Sequence, residues 1–292
     1  MNTIEVRAWA KLNLSLDVLG KLTDGYHAMR MVMQSVTLCD DLRVSLTEKR
    51  EFTADTNLRY LPGDERNIAA KAGKVFLEKI HERRHGVHVE ITKRVPVCAG
   101  LGGGSGDAAA VLRAMNELTS AHLPGAELEA LALLVGADVP FCVAGGTALA
   151  EGRGERLTQL PPIPDCAIVI VKPEFSVSTP DLFAKLNCAA LRCHPDTDGI
   201  IQAIREGSLL NLSRRVYNVF EDVLPRGSGE VCALKGALLD SGALGVAMSG
   251  TGPSVFGLFA EKAAAEAAAE RLRGKVRDCF LCAPMRKIEI DK

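Results

Sequence analysis

Pro96-Val97-Cys98-Ala99-Gly100-Leu101-Gly102-Gly103-Gly104-Ser105-Gly106-Asp107 is the stretch on which the reading of this chain turns. Upstream of it, Val87 to Val95 alternates apolar and polar residues, the period of a half-buried strand. Downstream, Asp107 is expected to open a helix that runs to Leu118, with apolar positions at helical spacing and no breaker. A glycine loop between a strand and a helix start exposes backbone N–H groups at the positive end of the helix dipole. Glycine also lets the backbone approach an anion with no Cβ in the way. The stretch therefore reads as a phosphate cradle. It is not a P-loop, because no lysine ends it. A dinucleotide fingerprint fits Gly104, Gly106 and Ala109, but that motif belongs to a first βα turn followed by an acidic strand end. Glu127 and Glu129, at the corresponding distance, lie in a helical stretch instead. A glycine turn with no ligand is the plain alternative. Five glycines in the seven residues 100–106 make it costly in conformational entropy.

The 292 residues suit two modest domains better than one large core, here residues 1–158 and 159–292. The Leu160-Pro-Pro-Ile-Pro164 run is the best linker between them. Net charge is −1 and the basic residues are dispersed, which argues against a nucleic-acid surface. Glu5, Arg7 and Lys11 leave no signal-like apolar run, and Cys166–Val171 is too short to span a bilayer. A soluble cytoplasmic protein is expected, without membrane or nucleic-acid partners. Nine cysteines, an odd number, follow no secreted pattern. Cys279-Phe-Leu-Cys282 and Cys188 with Cys193-His194 lack the second pair a zinc site needs, so reduced structural thiols and no protein metal site are expected.

Ile4–Val18 alternates as a strand, 21–27 reads as a turn, and Met29–Val44 as one or two strands. Arg66-Asn67 begins a helix with Ile68, Ala72, Val75, Phe76 and Ile80 on one face. Glu127–Val135 is a helix ending at Gly136 as C′, and Phe141–Leu149 reads as strands. Ala167–Val171 is a buried strand. Helices are expected over Thr179–Leu186, Gly199–Arg205, Val231–Ser241 and Glu261–Arg273. Gly245–Ser249, a glycine turn at 250–252 and Ser254–Phe259 read as a hairpin, and Cys279–Ile290 as a last strand. Strands mixed with helices in both halves make the class α+β.

The Pro-x3-Gly-Leu-Gly loop and its small-residue helix resemble those of the GHMP kinases. Ala8–Asp17, Asp24-Gly-Tyr-His27, Gly136–Phe141 and Met248–Phe256 recur in family order, so the resemblance covers about residues 6–260. It implies a ribosomal-S5-like N-terminal domain, a ferredoxin-like C-terminal one, and phosphoryl transfer from ATP, with Mg2+ accompanying the nucleotide. Asp24–His27 implies the branch that phosphorylates the 2-hydroxyl of a cytidine diphosphate-linked sugar alcohol in non-mevalonate isoprenoid synthesis. The alternatives are another small alcohol, of the homoserine or mevalonate type, and a catalytically silent nucleotide-binding regulator. One departure stands out: Gly106 replaces a serine usual in the family. A monomer or weak homodimer is the expected assembly.

Phosphoryl transfer needs phosphate neutralisation, an oriented hydroxyl and a carboxylate near its proton. Asp138, at an element junction, is the best carboxylate, against a solvated loop aspartate. Lys11, within an apolar strand, is its best partner, against a snorkelling lysine. By resemblance Lys11 and Asp138 form the catalytic pair. Pro96, Val97, Cys98, Ala99, Gly100, Leu101, Gly102, Gly103, Gly104, Ser105 and Gly106 would bind ATP, with Asn67 and Lys93 nearby; Asn67 is equally a helix N-cap. The resemblance gives Tyr26 and Phe183 the two faces of a cytosine and His27 its polar edge, against surface decoration by a Tyr-His turn. Asn13, Thr179, Gly250, Thr251 and Gly252 complete the implied acceptor site, although a plain hairpin turn explains the two glycines as well.

Overall fold

A computed structural model describes residues 2–23, 25–191, 193–224 and 228–286. Asp24 of the Asp24–His27 element and positions 287–290 of the expected last strand lie outside the described residues. The chain begins with two long antiparallel strands, β1 (Thr3–Lys21) and β2 (His27–Thr47). β3 (Phe52–Thr56), α1 (Ile68–Lys79), β4 (Gly86–Thr92), α2 (Gly103–Leu118), α3 (Gly125–Val135) and α4 (Val139–Ala144) follow, then the hairpin β5 (Thr147–Gly152) and β6 (Arg156–Gln159). Next come β7 (Ala167–Lys172), α5 (Thr179–Lys185), α6 (Thr197–Arg205), α7 (Leu209–Ser213), β8 (Tyr217–Asn218) and α8 (Ser228–Leu239). β9 (Gly245–Met248), β10 (Val255–Phe259), α9 (Lys262–Arg273) and β11 (Asp278–Cys282) close the described fold.

The described strands form two sheets. One is seven-stranded, ordered β3-β4-β2-β1-β8, with β5 pairing β2 and β6 pairing β5. The other is four-stranded and antiparallel, ordered β11-β7-β10-β9. Its strands follow the β-α-β-β-α-β connectivity of a ferredoxin-like unit, as the resemblance implied. No helix among the described residues is long and apolar enough to cross a membrane.

Two buried layers explain the sheet geometry. Val6, Ala8, Leu16 and Val18 of β1 pack with α1 and α2 on one side. Ala10, Leu12 and Leu14 pack on the other, against Ile168, Ile170, Phe256 and Leu258 of the second sheet. A strand with strict two-residue alternation cannot do both. Register shifts between Trp9 and Lys11 and between Asn13 and Ser15 move β1 from one face to the other and back. Cys279 and Cys282, three apart on β11, likewise fall in different layers, which separates this CxxC pair.

Several local expectations change. α2 begins at Gly103, not Asp107, so Gly103, Gly104, Ser105 and Gly106 are its first turn. Of the expected strand Phe141–Leu149, residues 141–144 belong to the short helix α4 and only 147–149 to β5: Pro140 sits at the start of α4, where a fixed φ is favourable and no N–H is missed. Gly136 caps α3 in extended conformation, φ −177°, not as a left-handed C′. The 29–44 segment belongs to a single strand.

Candidate functional site

The register shifts in β1 free backbone groups as well as turning side chains. The Lys11 N–H donates to the Leu101 carbonyl at 2.9 Å, and the Asn13 N–H to Ser249 Oγ at 3.2 Å. Ser249 Oγ in turn donates to the Gly100 carbonyl at 2.9 Å. β1, the first glycine loop and the 249–252 loop thus meet at one buried hydroxyl. Asn218 Nδ2 fixes the second loop from behind through the carbonyls of Met248, 2.8 Å, and Gly250, 2.7 Å.

Lys11 and Asn13, two apart, share a face, and Lys11 Nζ donates to Asn13 Oδ1 at 2.8 Å. The same ammonium lies 3.3 Å from Asp138 Oδ2. Asp138 occupies the N-cap position of α4, where an aspartate ordinarily accepts from the helix; its side chain makes no cap bond and turns to Lys11 instead. The Lys11 side chain is buried, whereas Asp138 is 35% exposed and open to the cavity. Gly102, φ +68°, lets the lysine pass: a Cβ there would meet Lys11 Cγ at 2.8 Å.

These groups line a cavity of about 880 Å3. One wall is the start of α2. Its first intrahelical bond is Gly106 N–H to Gly102 O, 2.8 Å, so the N–H groups of Gly103, Gly104 and Ser105 have no acceptor within the helix. Of the residues expected to bind, Lys11, Asn13, Asn67, Lys93, Pro96, Val97, Cys98, Ala99, Gly100, Gly102, Gly103, Gly104, Ser105, Asp138, Thr179, Phe183, Gly250 and Thr251 all line it. Thr179 and Thr251 join across it, hydroxyl to hydroxyl, at 2.8 Å.

Five expected residues do not reach its wall. Leu101 is buried between the sheets. Gly106 faces β1, where a Cβ would meet the Trp9 carbonyl at 2.7 Å, so the missing serine is a change on the strand side of the helix. Gly252 closes a turn through its N–H to Ser249 O, 2.9 Å. His27 packs its ring on Phe183, centroids 5.0 Å apart, and Phe183 also meets Phe220 edge-on at 4.9 Å. Tyr26 is exposed and lies under the Arg153 guanidinium, 4.3 Å from its ring centroid. Tyr26 and Phe183 thus each rest against another side chain in this structure.

Lys93 is also more committed than expected. Its Nζ is buried between Asp40 and Asp107, at 2.6 Å from the latter. Asp40 further accepts the N–H of Val95 at 2.8 Å, pinning the end of β4. Asn67 caps α1, accepting the Ala69 N–H at 3.0 Å while lining the cavity. Two buried carboxylates sharing one ammonium carry an excess negative charge, which burial opposes. Burial pushes Asp107 up to about 8 despite Lys93, and its Oδ1 has no hydrogen-bond partner. Burial opposes charge on Lys93, yet the two carboxylates hold it above its ordinary value. Since the folded value of Asp107 exceeds its ordinary 3.8, its stabilising contribution is complete in acid and is lost as pH rises through about 8. The thermal midpoint should fall between about pH 4 and pH 8, and Asp107→Asn should flatten that fall. An equally steep fall in the variant, followed by differential scanning fluorimetry, would rule the group out.

Ser249, Asp40, Asp107, Met31 and Arg153 were not expected at the site. Ser249 had a signal, since it lies inside the Met248–Phe256 motif. Met31 accepts Asn13 Nδ2 at 3.1 Å, a contact no pattern announces. Among the described residues no group of three metal-ligating side chains occurs. Asp138 and Ser105 are oxygen donors that face the cavity and fit an ion held mainly by nucleotide phosphates and water.

Residues 67–146 match the GHMP kinases N terminal domain, and residues 200–278 the GHMP kinases C terminal domain. The chain belongs to the GHMP kinases, a family of small-molecule kinases. It is 42% identical over 275 residues to a 4-diphosphocytidyl-2-C-methyl-D-erythritol kinase of Clostridium botulinum, covering 94% of this chain and 98% of the relative. The Clostridium kluyveri kinase of the same name is 41% identical over 276 residues, with the same coverage. A crystal structure of a 4-(cytidine 5'-diphospho)-2C-methyl-D-erythritol kinase, 32% identical, superimposes with a TM-score of 0.79 over 96% of this chain and 99% of that one. Homoserine kinase from Cytophaga hutchinsonii, 22% identical with a TM-score of 0.76 over 98% and 96% of the two chains, shares the fold.

Proposed function

We propose that this chain transfers the γ-phosphoryl group of ATP to the 2-hydroxyl of 4-diphosphocytidyl-2-C-methyl-D-erythritol, a step of the non-mevalonate route to isoprenoids. The observation that carries this reading is the Lys11–Asp138 pair, 3.3 Å apart, facing the N-terminus of α2 within one cavity. The helix N-terminus neutralises the donor phosphates, with Mg2+ as the nucleotide's companion ion. Asp138 orients the acceptor hydroxyl and accepts its proton. Lys11 holds that carboxylate in place and faces the charge that develops on the transferred group. Asn13, bonded to Lys11, offers its side chain to the acceptor's hydroxyls. The relatives' activity supports the substrate.

The test supplies the protein with ATP and Mg2+ beside the cytidylylated acceptor, homoserine and mevalonate in parallel. The expected result is turnover of the cytidylylated compound at least about tenfold above the others in kcat/KM, the size of one lost specific contact. Equal or greater turnover of homoserine or mevalonate would assign the chain to another branch. No turnover of any, with ATP still bound, would make it a nucleotide-binding regulator.

A further inference from the structure

Resting on that reading, we propose that Arg113 is a positioning residue for phosphoryl transfer: from the second half of α2 it grips both α4 and β1 and so holds Asp138 at its distance from Lys11. Arg113 does not line the cavity, so it would meet neither substrate.

Arg113 is a buried guanidinium without a counter-ion. Its side chain donates to two backbone carbonyls, Cys142 O from Nη1 at 2.7 Å and Arg7 O from Nη2 at 3.5 Å. Among the described residues it has no carboxylate partner. The Cys142 thiol supplies no charge either, since burial pushes it up to about 12. Burial pushes the guanidinium down to about 10, which leaves it a cation at neutral pH. A buried charge with no ionic partner is costly, and an apolar side chain of similar length would fill the same space more cheaply. The two carbonyls explain its place, because they belong to the elements that carry Lys11 and Asp138. Arg7 lies on β1, four residues before Lys11. Cys142 lies in the last turn of α4, and its N–H donates to the Asp138 carbonyl at 3.2 Å. Six residues are too few for a helix to hold by itself, and Asp138 lends α4 no side-chain cap. A cation at the carbonyl end of such a helix meets its negative pole and fixes its position. Gly103, which opens the donor cradle, and Arg113 lie on the same helix, roughly 15 Å apart along its axis. α2 thus joins the cradle, Asp138 and the Lys11 strand in one rigid unit.

The experiment measures kcat and KM for ATP and for the cytidylylated acceptor in wild type, Arg113→Met and Arg113→Lys, each also in an Asp138→Asn background. Arg113→Met should fold, because it removes the cost of burying the charge. Its kcat should fall at least about tenfold, as a displacement of about 1 Å at the reacting groups warrants, with both KM values within about twofold. Arg113→Lys should recover part of the loss, since one ammonium N–H can still reach the Cys142 carbonyl. In the Asp138→Asn background Arg113→Met should cost no more than about twofold in kcat, because the group it positions is already gone. Equal losses in both backgrounds, a loss carried by KM instead of kcat, or a kcat within about twofold of wild type beside Asp138 each overturn the inference and spare the function. Near-normal turnover in Asp138→Asn, or a wild-type chain that leaves the cytidylylated acceptor untouched, overturns the reading itself and the inference with it. Should Arg113→Met not fold, Arg113→Lys decides alone. It should lose at least about threefold in kcat beside Asp138 and keep its kcat in the Asp138→Asn background; equal losses, or none, refute the inference.

Discussion

Asp138→Asn should lower kcat by about 10²–10⁴, the range for a positioned proton acceptor, and leave the affinity for ATP within about twofold. The substitution keeps the side chain's shape, and Lys11 remains tethered to Asn13 at 2.8 Å. What is lost is the anion 3.3 Å from the Lys11 ammonium, and with it the acceptor for the hydroxyl proton. In the proposed reading the donor nucleotide is held elsewhere, by the N–H groups that open α2. Single-turnover kinetics beside titration with an ATP analogue separates the two effects. Near-normal turnover would remove Asp138 from the chemistry, and a matching loss of nucleotide affinity would mean that the cavity had collapsed.

The second large effect belongs to Gly100→Ala. Gly100 has φ +76°, a left-handed conformation that costs an L-residue about 1–2 kcal/mol. A Cβ at this position would also fall inside the contact radius of the Ser249 carbonyl and 2.9 Å from the Gly252 nitrogen. The two glycine loops touch backbone to backbone here, so a methyl group must push them apart and break the Ser249–Gly100 hydrogen bond. We expect a loss of about 2–4 kcal/mol in stability, read as a drop of roughly 4–12 °C in thermal midpoint. kcat/KM should fall at least about tenfold for both substrates, because Asn13 and Lys11 depend on the same junction. Gly125→Ala is the control, since a Cβ there meets nothing within 4 Å. Equal behaviour of the two variants would mean that the loops do not need this approach.

The parts of the site that could be read from sequence are those written in local grammar. Five glycines between a strand and a helix announce a phosphate cradle whatever the tertiary structure. Asp138 was legible as a carboxylate at an element junction, and Lys11 as a cation where an apolar strand has no use for one. The helix boundary was misplaced because Gly103, Gly104 and Gly106 have low helix propensity; the structure overrides it by packing Gly106 against β1. The first part of Phe141–Leu149, residues 141–144, reads as strand because a short β-branched and aromatic run has no distinguishing period. The Asp40–Lys93–Asp107 cluster was invisible for a different reason. Its members stand 53 and 14 residues apart: the pairing of β2 with β4 brings Asp40 to Lys93, and the first turns of α2 supply Asp107. The contacts that the aromatic side chains make with one another are not legible either, because the resemblance supplies residues and not directions. Nothing in the residue types told that Phe183 would rest on His27, or that Tyr26 would lie beneath a guanidinium.

The register shifts in β1 bear on how this active site tolerates change. Between the two shifts the strand runs out of phase with its own ends: odd-numbered residues serve the cavity and even-numbered ones seal the layer between the sheets. Losing a single residue from this short segment would exchange the two sets. Leu12 would enter the cavity and an ammonium would enter a layer of Ile168, Ile170 and Phe256. Point substitutions at these positions are graded events, but an insertion or deletion there is all or none. The length of the segment thus matters to the cavity as much as the lysine and asparagine it carries.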